Sequence, residues 1–235
     1  INKPLATGVS IVDLVVPLGK GQRELVIGDR KTGKSHFLLQ AAQTQINAGG
    51  ICVYTLLAKR KLDVELIGRF FSKASLRPNT VLVVTLADDA PGVVIVAPFT
   101  AMTIAEYFRD KGRDVLLIFD DLTAHAKLYR EVALLTRRFP GRNSYPGDIF
   151  YLHARLLERA GNYTKGSISC LPVAESILGD LSGYIQTNIM SMTDGHLFFD
   201  SDLANLGRRP SLNPFLSVTR VGRQAQTPLL RDVSR

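Results

Sequence analysis

Cysteine is scarce in this chain of 235 residues, and its placement narrows the class of protein. The two cysteines, Cys52 and Cys170, each lie inside an apolar run typical of a strand. They indicate small core residues of a reduced, intracellular protein and exclude a disulfide scaffold. Neither has a metal-ligand spacing to any of the four histidines.

Targeting signals, repeats and low-complexity tracts are absent as well. No segment resembles a signal peptide, and we expect no apolar run of membrane-spanning length. The 46% hydrophobic content argues against disorder. At this length we predict a single domain, 1–235, with a sizeable core. Because the chain begins at Ile1 rather than Met and stops at Arg235, we expect a domain cut from a longer protein.

A glycine-rich stretch is the strongest signal that is present: Gly28-Asp29-Arg30-Lys31-Thr32-Gly33-Lys34-Ser35. It has the phosphate-binding pattern of Gly, four residues, then Gly-Lys-Ser, with a strand-like run before it and a helical spacing of apolar residues after it. A strand that turns into a helix in this way aims backbone N–H groups and the positive helix end at one point. We therefore predict nucleotide binding, with Lys34 on the outer phosphates and the Ser35 hydroxyl on magnesium.

Apolar strands alternate with helical patterns, which predicts an α/β fold with a mostly parallel sheet and helices on both faces. Ligands bind such sheets at the carboxyl ends of the strands. The predicted strands are 23–27, 51–57, 80–86, 114–119, 167–173, 188–193 and 197–199, the last entered through a hairpin turn at Asp194-Gly195. The predicted helices are 35–46, 62–74, 88–109, 122–138 and 148–159. The buried face of 62–74 is expected to carry Leu62, Leu66, Ile67, Phe70, Phe71 and Ala74.

Asp120 follows the apolar run 115–119, so we expect it at the ligand edge of the sheet, where a magnesium-side carboxylate is needed. Capping of the next helix is the alternative for Asp120, and it is the preferred reading of Asp121.

Hydrolysis also requires a group that orients or deprotonates water. Its natural place is the end of strand 51–57, where the chain reads Ala58-Lys59-Arg60-Lys61 with no carboxylate or amide. Asp63 and Glu65 come later, on the solvent side of a helix. The site is thus predicted to hold a nucleotide and not to cleave it.

The formal net charge of +8 is compatible with a nucleic-acid or phospholipid partner. The basic residues are scattered, however, with no long block and little interleaved aromatic. We expect some of them to face nucleotide phosphates or a neighbouring subunit, and we expect no nucleic-acid partner.

With these motifs in place, the chain closely resembles the nucleotide-binding domain of the alpha subunit of rotary F-type ATP synthases, over nearly all of its length. The run from Tyr145 to Arg159 is the most specific part of the resemblance. The other matching segments are Gly21-Gln22-Arg23-Glu24 leading into Gly28-Asp29-Arg30, Glu106-Tyr107-Phe108-Arg109-Asp110, Asp120-Asp121-Leu122-Thr123, Pro140-Gly141-Arg142, Thr193-Asp194-Gly195 and Leu216-Ser217-Val218-Thr219-Arg220-Val221-Gly222.

The resemblance implies a RecA-like P-loop NTPase fold in an alternating ring of three alpha and three beta subunits around a central stalk subunit. In such a ring the alpha subunits bind magnesium with ATP or ADP without turnover, and the beta subunits catalyse. The ring is expected to lie on the cytoplasmic, matrix or stromal face of an energy-transducing membrane, which it meets only through the rest of the complex.

The same resemblance implies roles for single residues. Residues 28–35 hold the phosphates, Asp120 lies on the magnesium side, and Arg209, before Pro210, belongs to the nucleotide pocket. Arg220 matches the arginine that reaches the neighbouring beta site, where such arginines contribute about 10³–10⁵ in rate. Ser217 lies in the same required segment. The alternative for Arg220 is an ordinary surface arginine.

Three departures from the family pattern weaken these assignments, and the missing aromatic, together with the absence of the family's carboxy-terminal helical domain, predicts weak base recognition and a low nucleotide affinity. The family usually has Gln where Lys31 stands, a Gly-Gln pair where Leu57-Ala58 stand, and an aromatic near the adenine where Ala204 stands. A divergent paralogue of the alpha subunit is therefore an alternative interpretation. Two other functions stay as alternatives: a catalytic Rho-like hexameric ATPase acting on nucleic acid, and a scaffold whose nucleotide site is vestigial.

Overall fold

Ten strands occur in residues 1–234, the part of the chain that the computed structural model describes. They are β1 (Pro4–Leu5), β2 (Leu18–Gly19), β3 (Leu25–Gly28), β4 (Ile51–Lys59), β5 (Thr80–Leu86), β6 (Asp114–Asp120), β7 (Gly161–Asn162), β8 (Ser167–Glu175), β9 (Gly195–Phe199) and β10 (Val218–Thr219).

Ten α-helices connect or follow these strands within the same residues. They are α1 (Ser10–Val15), α2 (Lys34–Asn47), α3 (Lys61–Phe71), α4 (Pro91–Asp110), α5 (Leu122–Leu135), α6 (Ile149–Leu157), α7 (Tyr184–Met192), α8 (Ser201–Asn205), α9 (Gly222–Ala225) and α10 (Pro228–Val233).

One large sheet organises the fold. Its strands follow the order β10-β9-β3-β8-β6-β4-β5, and β7 pairs with β8 outside this path. All neighbours from β9 to β5 are parallel, whereas β10 runs antiparallel to β9. The central strands are apolar and buried along most of their length, as in parallel sheets covered on both faces. The predicted α/β fold with a mostly parallel sheet is confirmed.

Helices cover both faces of this sheet. Residues of α4, α5, α6 and α7 form one core with Val53 and Phe119 of the strands, and residues of α1, α2 and α3 form a second core with Tyr54. Alternate residues of β4 thus belong to different cores, because successive strand side chains point to opposite faces. Cys52 and Cys170 are buried and unpaired with each other, as predicted.

The segment 188–193 is not a strand, and Asp194-Gly195 is not a hairpin turn. The segment is the second half of α7, whose buried residues Ile185, Gln186 and Ile189 have helical spacing. A short apolar run does not distinguish strand from helix by periodicity alone, and the prediction missed the first turn of this helix. The next strand, β9, runs parallel to β3.

Three helices also end earlier than predicted, at Phe71, at Leu135 and at Leu157. Leu62 and Leu66 of α3 were expected in the core but are 61% and 55% exposed. Only Ile67 and Phe71 of that helix are buried. The reason is that α3 lies against β4 and β5, and β5 is the last strand of the sheet, so a narrow stripe of the helix meets the core.

One helix, α4, is long and apolar enough to cross a membrane by those two measures, contrary to expectation. It has 20 residues with Pro98 in its interior. Val94, Ala97, Ala101 and Met102 of α4 are buried, and the helix contacts β4, β5 and β6. Core helices of globular proteins have the same length and composition, so this feature alone is weak evidence for a membrane span.

Candidate nucleotide-binding site

Four neighbouring strands end in a glycine or a charged residue at one edge of the sheet. β3, β8, β6 and β4 are adjacent and parallel, so their last residues Gly28, Glu175, Asp120 and Lys59 lie along the same edge. The register places Gly28 level with Glu175 on the neighbouring strand. Ligands of parallel α/β sheets bind at this carboxyl edge.

The predicted phosphate loop is a tight turn between β3 and α2. The Thr32 hydroxyl donates to the Asp29 carbonyl at 2.8 Å, and Gly33 has a φ of 94°, a left-handed value that glycine adopts without strain. A Cβ on Gly28 would lie 2.2 Å from the carbonyl oxygen of Phe199 on the adjacent strand. The strand–turn–helix expected for residues 28–35 is therefore present, and α2 starts with its N–H groups at the carboxyl edge.

Lys34 folds back over the loop. Its ammonium donates to the carbonyl oxygens of Gly28 and Asp29, each at 2.6 Å. Burial lowers the pKa of Lys34, and the nearby carboxylates of Glu175 and Asp121 oppose that shift. The backbone carbonyls of the loop thus hold the positive charge of Lys34 at the place where phosphate oxygens are expected.

Two loop side chains tie the loop to the segment after β8. The Asp29 carboxylate accepts from the Gly179 N–H at 3.1 Å and from the Ser176 hydroxyl. The Arg30 guanidinium makes two hydrogen bonds to the Glu175 carboxylate, at 2.9 and 3.2 Å. The Asp29 side chain therefore fixes the position of the loop. Because its carboxylate is occupied in this way, we expect Asp29 to contact phosphate only through its backbone.

Asp120 lies at the carboxyl edge as predicted, but it is already paired. Its Oδ1 is 2.7 Å from the Lys59 ammonium, and the Tyr54 hydroxyl donates to its Oδ2 at 3.2 Å. Burial lowers the pKa of Lys59, but the carboxylates of Asp120 and Asp121 outweigh it, so the net shift is upward. Asp121 accepts from the Ala124 N–H at 2.6 Å, which confirms its role as the cap of α5.

Sequence reasoning missed Lys59 because β4 is longer and more irregular than predicted. The strand continues two residues beyond Leu57. Leu56 pairs with Val84 of β5 and Lys59 pairs with Leu86, so β4 contains one extra residue between these two pairs. This bulge, with a φ of 51° at Ala58, redirects the following side chain towards Asp120. Counting alternate residues along a regular strand does not reveal such a redirection.

Comparison with known proteins agrees with this geometry. The model of the ATP synthase alpha/beta family, nucleotide-binding domain, matches residues 8–219. The chain belongs to this family.

The similar curated proteins are alpha subunits, which confirms the resemblance drawn from the motifs. The "ATP synthase subunit alpha" of Dictyoglomus turgidum is 44% identical over 100% of this chain and 47% of its own length. The "ATP synthase subunit alpha 3" of Paraburkholderia xenovorans is 48% identical over 100% and 45%. The "ATP synthase subunit alpha, mitochondrial" of Dictyostelium citrinum is 44% identical over 100% and 46%. The chain spans about half the length of these ATP synthase relatives.

Arg209, which the family resemblance assigns to the nucleotide pocket, is exposed in the segment after α8. It lines an open surface groove of about 670 Å³ together with residues 8–11 and Gln40 of α2. Two residues further on, the Ser211 hydroxyl donates to the Thr32 carbonyl at 2.5 Å, which joins this segment to the phosphate loop. The Arg209 guanidinium itself donates to the carbonyls of Ala204 and Arg208.

Arg220 lies at the amino end of the parallel strands, the end opposite the phosphate loop, whereas Ser217 lies nearer the carboxyl end, beside Phe198. β10 is antiparallel to β9, and Thr219 is level with Gly195, the first residue of β9. The Arg220 N–H donates to the Asp194 carbonyl, and its side chain is exposed. Within residues 1–234 the Ser217 hydroxyl donates to the Asn213 carbonyl at 2.6 Å and accepts from the Phe198 N–H at 3.0 Å, so it holds β10 against β9.

The carboxylates at the site do not favour the magnesium ion expected at Ser35 and Asp120. Ser35 is exposed at the start of α2. Each carboxylate at the edge has a protein partner: Asp29 has Gly179, Asp120 has Lys59, Asp121 has Ala124 and Glu175 has Arg30. In the described residues no three His, Cys, Asp or Glu side chains converge as a metal site. The magnesium ligands therefore stay a prediction. Asp120 is a poor magnesium ligand as long as its carboxylate is paired with the Lys59 ammonium.

Proposed function

We propose that this chain is a non-catalytic, alpha-type subunit that holds ATP or ADP on the loop 28–35. The observation that carries the proposal is the side chain entering the site from the end of β4. It is the Lys59 ammonium, paired with Asp120 at 2.7 Å. An ammonium carries its proton already, so it cannot take one from an attacking water. The carboxylates nearby are engaged with protein partners, so none of them is free to take that proton instead.

ATP turnover by the purified chain tests this proposal. We expect nucleotide binding without hydrolysis above background. Both quantities are measured on the same preparation, binding by calorimetric titration and turnover by phosphate release. Turnover at a typical enzymatic rate, about 1 s⁻¹ or more, would contradict the non-catalytic assignment. Absence of binding to either nucleotide would instead favour the vestigial scaffold.

We further propose that Arg220 acts on the site of a neighbouring beta subunit. Arg220 is level with Arg23, five residues before Gly28 on the same side of the sheet. At about 3.3 Å per residue, this offset is about 16 Å along the strand, more than an arginine side chain spans. Arg220 thus lies away from its own phosphate loop, exposed at the sheet edge. This placement supports a role across a subunit interface.

We propose in addition the partners and the location that the family resemblance implies. They are beta subunits in an alternating ring of three alpha and three beta subunits, with a central stalk subunit. The ring is peripheral to the cytoplasmic, matrix or stromal face of an energy-transducing membrane. Mixing the chain with its beta partner and measuring the mass of the product tests the assembly.

A nucleic-acid motor is the second candidate, and the net charge of +8 is the observation in its favour. It predicts ATP turnover that DNA or RNA stimulates, and nucleic-acid affinity that falls steeply with salt. The turnover assay repeated with DNA and RNA separates the two candidates.

A further inference from the structure

The Lys59–Asp120 pair lies where a divalent cation was expected. The Asp120 side chain is 7% exposed and that of Lys59 is 23% exposed, so the carboxylate is covered while the ammonium still reaches solvent. Both Asp120 oxygens have donors, Lys59 on one and Tyr54 on the other. A cation that bound this carboxylate would have to displace a charged partner from a buried oxygen.

The Lys59 ammonium can still donate further hydrogen bonds. An ammonium has three N–H donors, and within residues 1–234 that of Lys59 makes one hydrogen bond, to Asp120. Lys34 and Lys59 also share the same carboxylate neighbours, Asp120, Asp121 and Glu175, so they belong to one charge cluster along the edge. Phosphate oxygens bound at this edge would meet the positive charge of both ammoniums.

We propose that Lys59 supplies to the outer phosphates the positive charge that a divalent cation supplies in most nucleotide sites, so that this chain binds metal-free nucleoside di- or triphosphate about as well as the magnesium form. The proposal rests on the nucleotide-binding function proposed above. It deepens that function because it names the ligand form that the site selects.

Calorimetric titration of the chain with ATP in excess EDTA, and again in excess magnesium chloride, tests the proposal. We expect the two affinities to differ by less than about tenfold, less than one charge-assisted hydrogen bond contributes. In Lys59→Gln, affinity for metal-free ATP should fall about 10- to 100-fold, the range such a bond is worth. Affinity with magnesium should fall less, because Asp120 is then released to the cation. Lys61→Gln, an exposed lysine two residues away on α3, is the matched control and should behave as the wild type.

A second variant guards against misfolding. Lys59→Gln leaves the Asp120 carboxylate buried without its cation, whereas Lys59→Gln with Asp120→Asn removes both charges together. The double variant should keep the wild-type circular dichroism and lose metal-free binding to the same extent. Wild-type binding that requires magnesium, or undiminished metal-free binding by either variant, would overturn the inference while leaving the proposed function intact. No binding under either condition would overturn both.

Discussion

Two buried histidines make the stability of this chain depend on pH. His125 of α5 and His153 of α6 are 0% and 1% exposed, and their Nδ1 and Nε2 atoms are 3.1 Å apart. The other nitrogen of His125 lies 3.2 Å from the Ile95 carbonyl, which can only accept, so His125 carries its proton on Nε2. Its Nδ1 then accepts from His153, and both rings are neutral in the folded state.

Burial lowers the pKa of His153 to about 3, with His125 adding to the shift, and burial also lowers the pKa of His125. The unfolded chain binds these protons first, so the contribution of the two neutral histidines to stability is expected to be full above about pH 7 and to decline as the pH falls below about 6.5. By about pH 5, protonation of His153 alone is expected to lower the free energy of unfolding by about 2 kcal/mol, at about 1.4 kcal/mol per pKa unit. His125 acts in the same direction. Such a loss is a large part of the stability of a typical domain.

Other buried groups oppose this trend. Burial raises the pKa of Glu24 and of Asp121, so their contributions favour folding as the pH falls towards their unfolded values. The test is therefore a comparison of variants. Urea unfolding at about pH 7.5 and about pH 5 should show the wild type losing about 2 kcal/mol or more beyond the loss in His125→Gln/His153→Gln. His36→Gln, on the exposed side of α2, is the matched substitution control. Equal losses in the wild type and the double variant would refute the reasoning.

Three further predictions concern the loop and the proposed trans role of Arg220. Lys34→Ala should lower the affinity for ATP about 10- to 100-fold, measured by calorimetry, and unchanged binding would exclude the assignment of the loop. Arg220→Ala in the assembled ring should lower turnover at the partner site by about 10³–10⁵ and leave nucleotide binding to this chain nearly intact; surviving turnover would exclude the trans role. Gly28→Ala should destabilise the chain by about 1–3 kcal/mol in urea unfolding, because the Cβ meets the Phe199 carbonyl. Gly68→Ala in α3, with open space around it, is its control and should stabilise by about 0.5–1 kcal/mol; equal effects would refute the clash.

Local pattern alone was enough to predict the phosphate loop, the alternation of strands and helices, and the capping role of Asp121. These features depend on residues close together in the chain, because turn geometry, capping and hydrophobic periodicity are short-range effects. Where the same kind of pattern was ambiguous, as at 188–193, it predicted a strand and the structure has the end of α7.

The pairing of distant segments was decided only by the tertiary structure. Lys59 meets Asp120, 61 residues later, because a bulge redirects the end of β4 beside β6. His125 meets His153 because α5 and α6 pack on the same face of the sheet. Arg220 lies at the edge opposite its own loop because β10 runs antiparallel to β9. Strand order, register and bulges depend on contacts between segments far apart in the chain, and no short stretch of residues contains that information.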